Sequence, residues 1–301
     1  MGVISAEQHA MLTALVRLDR FSVLVELSAL LYLGVLSIVG GLAWTFREYV
    51  ASLGDVAILS ILALLMAVSF GYCFSRTAPY SNDEVDSPSL GFDYVLYFAC
   101  LIFSATLAFV ETRFGIFQGW DTHLLIAAMV FGVLAYRFDN RFVLSLALST
   151  LAGFLGLRLS AFDAMPDDQV ATLGIGYGAF LLGVGGLLYR QGIKRHFLDV
   201  YLHLGAAAIL LSTAWRSFEG PNQNLFLFAV LIVAPAAIYL GVRHRRFAFV
   251  AYGTVVGYGV VSARILDDIG GPGPLLTYFV VTGSLVVLAL VILARRLGRD
   301  E

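Results

Sequence analysis

The sequence predicts an all-α fold, a polytopic transmembrane helical bundle of about ten spans, built partly from repeated helical hairpins of about 53 residues. Three observations predict it. Of 301 residues, 59% are hydrophobic and only 13% charged, with a mean hydropathy of +0.86; an ordinary soluble domain is about 45–50% apolar and roughly 25% charged. The apolar residues gather into ten blocks near the ~20-residue length that crosses a bilayer. Arginines close the later blocks at a constant interval. This composition excludes a soluble or a disordered chain, and a net charge of −2 carries no basic footprint for nucleic acid.

Residues 1–22 precede the first block. Ser5 and Gln8 have capping-box spacing, and Met11, Leu12, Leu15 and Val16 then recur at helical intervals. This predicts a cytosolic amphipathic helix over residues 6–20, lying either on the membrane surface or on the protein's own inner face. Glu7, Arg17, Asp19 and Arg20 interrupt any apolar h-region, so no cleavable signal peptide is expected.

The transmembrane domain follows over residues 23–301. Its blocks run Val23–Trp44, Val56–Phe74, Tyr94–Val110, Thr122–Tyr136, Phe142–Leu157, Val170–Tyr189, Leu198–Ala214, Leu225–Val242, Ala248–Ala263 and Leu275–Ala294. The fourth and fifth are short, and the polar run Arg137–Arg141 separates them. They either cross fully or form a re-entrant pair. Lys and Arg divide 14 to 5 between alternate sides, which places both termini in the cytoplasm by the positive-inside rule. Trp44, Trp120 and Trp215 then fall at outer helix ends, where an aromatic belt belongs.

Arg137, Arg190, Arg243 and Arg296 are each 53 residues apart, so the hairpin repeat is clearest over residues 122–296. Tyr136 and Tyr189 precede the first two. Thr150-Leu-Ala-Gly153-Phe154 and Thr254-Val-Val-Gly257-Tyr258 share a pattern. Positive-inside selection alone would also put an arginine at each inner turn.

Intramembrane ionisable groups are the first candidates for function because their burial is expensive. Glu26 lies about one turn into the first span, within reach of Arg20. Asp199 and His203 stand four apart on one helix face, as either a proton-relay pair or a hydrogen bond that fixes packing. Asp163, Asp167 and Asp168, and Asp267 with Asp268, read as caps and solvated loop charges. Cys73 and Cys100 read as small hydrophobes. Gly174 with Gly178, and Gly253 with Gly257, have the small-xxx-small spacing of close helix packing, and Pro235 should kink the eighth helix. No catalytic, cofactor-binding or metal-ligating motif is present.

The opening Gly2-Val-Ile-Ser-Ala-Glu-Gln8, the stretch Pro88-Ser-Leu-Gly-Phe-Asp93-Tyr94, and Ala135-Tyr-Arg-Phe-Asp-Asn-Arg141 resemble bacterial membrane proteins of the domain of unknown function 2157 family. The resemblance covers the chain to about Ser160. It implies a multi-span protein of the bacterial inner membrane with a cytosolic N-terminal helix, and it transfers no activity. Two readings follow from the residues. One is a non-enzymatic scaffold or interaction protein that has the lipid bilayer and other membrane subunits as partners. The other is a transporter or flippase for an apolar or lipid-like solute.

Overall fold

The computed structural model describes residues 30–41, 44, 54–116, 120–160, 167–266 and 272–297. All regular structure among them is helical. Ten helices follow in order: α1 (Leu30–Gly41), α2 (Asp55–Arg76), α3 (Leu90–Phe114), α4 (Trp120–Phe138), α5 (Arg141–Ser160), α6 (Asp167–Gln191), α7 (Leu198–Arg216), α8 (Gln223–Arg243), α9 (Phe247–Leu266) and α10 (Pro272–Leu297). Eight of them, α2–α4 and α6–α10, are long and apolar enough to cross a membrane. The apolar stretches of the other two, Leu30–Gly41 and Arg141–Leu157, are shorter. The expected amphipathic N-terminal helix, Glu26, Asp163, Asp267 and Asp268 lie outside the described residues, as do the side chains of Asp167 and Asp168.

Helix α4 begins earlier than its apolar run. Its 19 residues span about 28 Å, because Trp120–His123 join the helix at one end and Arg137–Phe138 at the other. His123 is buried there, within the candidate span Asp121–Phe138. Helix ends follow local chemistry. The Ser89 hydroxyl accepts from the Phe92 N–H and starts α3, and Gly115, at φ 59°, ends it by donating to Glu111 O.

The chain divides into two compact units, Glu26–Gly205 and a second that includes Ala206–Glu301, with the boundary inside α7. In the first, α2 packs on α3 and α4 on α5. A core of Phe92, Leu96, Phe131, Leu144, Leu181 and Phe197 fills the space between the helices, with Cys73 and Cys100 buried in it. Tyr32 of α1 stacks on Tyr94, Tyr97 and Phe142, at ring separations of 4.8, 5.1 and 4.0 Å. In the second, Leu210, Val230, Ala234 and Val260 form a smaller core between α7, α8 and α9. Tyr258 and Ser262 of α9 meet Thr282 and Tyr278 of α10 through hydroxyl pairs at 2.8 and 3.1 Å. None of the apolar window Leu276–Arg296 of α10 is buried. An apolar helix left so uncovered matches a hydrocarbon surrounding rather than water.

Candidate functional site

Three interhelical turns share one backbone. After α4, Asp139 takes φ 57° and Asn140 N–H donates to Ala135 O at 3.0 Å. After α6, Gly192 takes φ 76° and Ile193 N–H donates to Leu188 O at 3.0 Å. After α8, Arg245 takes φ 56° and Arg246 N–H donates to Gly241 O at 2.8 Å. Each is a Schellman cap, in which a left-handed residue lets the chain reverse while satisfying the last helix carbonyls. Left-handed residue, donor and acceptor all recur at the 53-residue spacing of the arginines.

The turn after α6 departs from the pattern. Lys194 adds a second left-handed residue, φ 44°, and a 3-10 turn, Arg195–Phe197, precedes α7. This extra segment carries the polar centre of the first unit. Lys194 Nζ lies 2.9 Å from Asp139 Oδ2, and His196 Nε2 lies 2.5 Å from Asp139 Oδ1. The Asp139, Lys194 and His196 side chains are 3%, 1% and 9% exposed, so the cluster is shut off from solvent. An ionised carboxylate only accepts, so His196 donates from Nε2.

The third group on Asp139 comes from the segment between α2 and α3. Val85 N–H donates to Asp139 Oδ2 at 2.6 Å. Lys194 holds the same segment twice more, through its N–H to Asn82 O at 2.9 Å and its Nζ to Asp83 O at 3.3 Å. Its ammonium also lies 5.3 Å from the centre of the Tyr80 ring. Around this centre Arg137 Nη1 donates to Thr77 Oγ1 and Ala78 O at 3.2 and 3.0 Å, and Arg141 pairs with Glu84 at 2.7 Å. Asn140 works in both directions: its Oδ1 caps α5 at Val143 N–H, and its Nδ2 donates to Asp93 Oδ1 at 2.8 Å, which also accepts from Ser87 Oγ at 2.6 Å.

Chemically this is a clamp. The buried carboxylate meets two nitrogen side chains and a backbone N–H, which satisfies both oxygens, and the donors come from two stretches of chain, the turn after α6 and the segment between α2 and α3. Losing any one partner would strand charge away from water. Among the described residues no group of three His, Cys, Asp or Glu side chains is arranged to hold a metal ion.

The residues singled out in the sequence fall elsewhere. Asp199 and His203 both lie half-buried on the first turns of α7. Gly253 is packed hardest: a Cβ there would meet Ala234 O at 2.5 Å and Ile238 Cγ1 at 2.9 Å. At Gly257 a Cβ would lie 3.2 Å from Ala234 Cβ, so both glycines face α8 beside Pro235, which lies within that continuous helix. Gly178 is buried, and its carbonyl lies 3.0 Å from where a Cβ on Gly205 would stand; Gly174 is half-buried. The tight positions at Gly185 and Gly205 have no small-xxx-small signature in the sequence, that at Gly241 has only Ala237 four residues before it, and Asp93 is not legible as an acceptor inside α3.

Comparison of the chain with family models, curated proteins and solved structures returns no match.

Proposed function

We propose that this chain is a ten-span protein of the bacterial inner membrane that works as a non-enzymatic scaffold, with both termini in the cytoplasm. The Asp139 clamp is the observation that carries this reading. A carboxylate already met by Lys194, His196 and Val85 holds a connection in place and leaves little capacity for turnover. By the positive-inside rule the clamp faces the cytoplasm, where it fixes the 77–89 segment into a defined surface. Asn82, Asp83, Glu84 and Asp86 are exposed on that segment, a fixed polar face for a partner subunit. The recurrent Schellman caps favour hairpin duplication over sorting by charge alone, because charge selection does not dictate which residue turns left-handed. The likeness of the N-terminal half to the domain of unknown function 2157 family belongs to the same proposal and rests on its motifs.

The test is affinity purification from native membranes with the wild type and with Asp139→Asn. A stoichiometric membrane partner that is retained by the wild type and lost in the variant at equal abundance supports the scaffold. Transport of an apolar or lipid-like solute is the competing reading, favoured by Pro235 against Gly253 and by Asp199 with His203 on one helix face. It requires His203→Gln or Asp199→Asn to abolish the phenotype of the parent gene at normal membrane abundance. The scaffold reading expects both variants to keep that phenotype.

A further inference from the structure

Beside the clamp, the outward face of α4 carries an open groove. Gly132, Val133 and Tyr136 line its apolar length, and Tyr80 and Arg137 stand at its end. Val133 is 70% exposed, and a Cβ on Gly132 would meet nothing within 4 Å, so the groove exists because residue 132 has no side chain. Arg137 closes it with a positive charge that forms no ion pair among the described residues. Both of its hydrogen bonds run from Nη1 to neutral oxygens of Thr77 and Ala78, and they aim the guanidinium while leaving Nη2 and Nε to donate elsewhere. A fixed cation at the end of a membrane-length helix, above an apolar slot, is complementary to one class of molecule.

We propose that this groove is a binding site for a single membrane phospholipid, with one acyl chain lying along Gly132, Val133 and Tyr136 and the headgroup phosphate on Arg137. Guanidinium and phosphate pair through two parallel N–H donors, which the unused edge of Arg137 supplies. The Tyr80 ring flanks the same end, at the level where aromatic side chains meet headgroups. This inference rests on the membrane-spanning reading of α4 and is independent of the scaffold proposal.

Native mass spectrometry of the full chain in detergent tests it, with phosphatidylglycerol and diacylglycerol of the same acyl chains as probes. The wild type should hold one phosphatidylglycerol about tenfold more tightly than diacylglycerol, the size of one charge-assisted hydrogen bond. A Cβ at residue 132 enters open space, so Gly132→Leu should occupy the slot, lose the bound lipid and keep the wild-type melting temperature. Arg137→Gln should bring the two probes to equal affinity. Retention of phosphatidylglycerol by Gly132→Leu, or equal binding of both probes by the wild type, overturns the site. Either failure leaves the membrane-spanning reading standing, since that reading is tested separately by whether the chain needs detergent for extraction.

Discussion

At Asp139 and at Arg245 the chain leaves a helix by the same device, a left-handed residue at φ 57° in one and 56° in the other, each followed by a bond back to the carbonyl five residues earlier. The side chains at these two positions then do different work. Asp139 turns inward and meets Lys194, His196 and Val85 at a buried centre. Arg245 is exposed. The turn between them, at Gly192, differs from both: the chain continues past its cap into a 3-10 turn, and that segment holds both of the side-chain partners of Asp139. A cap sets the path of the backbone and leaves its side chain uncommitted, so one backbone can carry a buried clamp in one place and an exposed side chain in another.

The largest expected effect follows from breaking the clamp. Asp139→Asn leaves Lys194 buried without its counter-charge, which costs about 3–5 kcal/mol when one partner of a buried pair is removed. Thermal unfolding in detergent should register this as a clear fall in melting temperature, and limited proteolysis should begin to cut within residues 77–89. Combining Asp139→Asn with Lys194→Met should cost less than the two single changes added together, because the stranded charge goes too. An Asp139→Asn protein that melts with the wild type and resists cleavage would mean that the segment is held by something other than this centre.

How far the sequence reveals these features depends on their range. Helices are local, and each of the ten apolar blocks contains or overlaps one described helix. The caps were half legible: the 53-residue arginine spacing marks where each helix ends, although position 139 is Asp and 245 is Arg where a left-handed cap favours glycine. The clamp was not legible. Val85, Asp139 and Lys194 are separated by more than fifty residues at each step, and no periodicity links them. One signal was present in the sequence. The turn holding Lys194 and Arg195 is longer than its two counterparts, since Phe142 and Phe247 follow their helix-closing arginines sooner than Phe197 does. Asp199 and His203 are conspicuous in the sequence because they are polar inside an apolar block, whereas Asp139 lies among other polar residues in the run Arg137–Arg141.

A second test compares helix contacts. In the second unit Gly253 lets α9 approach the backbone of α8, and a methyl group there would meet a carbonyl oxygen that cannot rotate away. Gly253→Ala should therefore cost about 1–3 kcal/mol. Gly257→Ala meets only the Ala234 methyl at 3.2 Å and should cost less. Equal melting temperatures for the two variants would break the ranking and show that α8 and α9 can separate without penalty.

The Gly192 cap offers a smaller effect of purely backbone origin. A Cβ at Gly192 would come no closer than 3.7 Å to Arg195, so space is not limiting, but its φ of 76° disfavours any side chain. Gly192→Ala should cost about 1–2 kcal/mol, and Gly192→Asn should recover part of it because asparagine tolerates the left-handed region. If asparagine is as damaging as alanine, the loss comes from the new side chain's surroundings and not from the cap.

The smallest expected effect sharpens the comparison of the two turns most directly. Glycine at position 245 relieves a left-handed residue, a gain of about 1 kcal/mol. It also gives up the interactions that the Arg245 side chain makes. The two contributions oppose, and exposed interactions of this kind are worth about 1 kcal/mol or less, so Arg245→Gly should stay within about 1 kcal/mol of the wild type. Asp139→Gly brings the same backbone relief at nearly the same φ, yet it also removes the carboxylate from Lys194 and His196. The backbone contribution cancels between the two variants, and the gap in their unfolding free energies reports how much more the Asp139 side chain contributes than the Arg245 side chain does. A gap of several kcal/mol assigns the stability of this connection to the clamp. Should Arg245→Gly fall as far as Asp139→Gly, the caps themselves would be the fragile element, and the buried centre would be a consequence of the turn instead of its support.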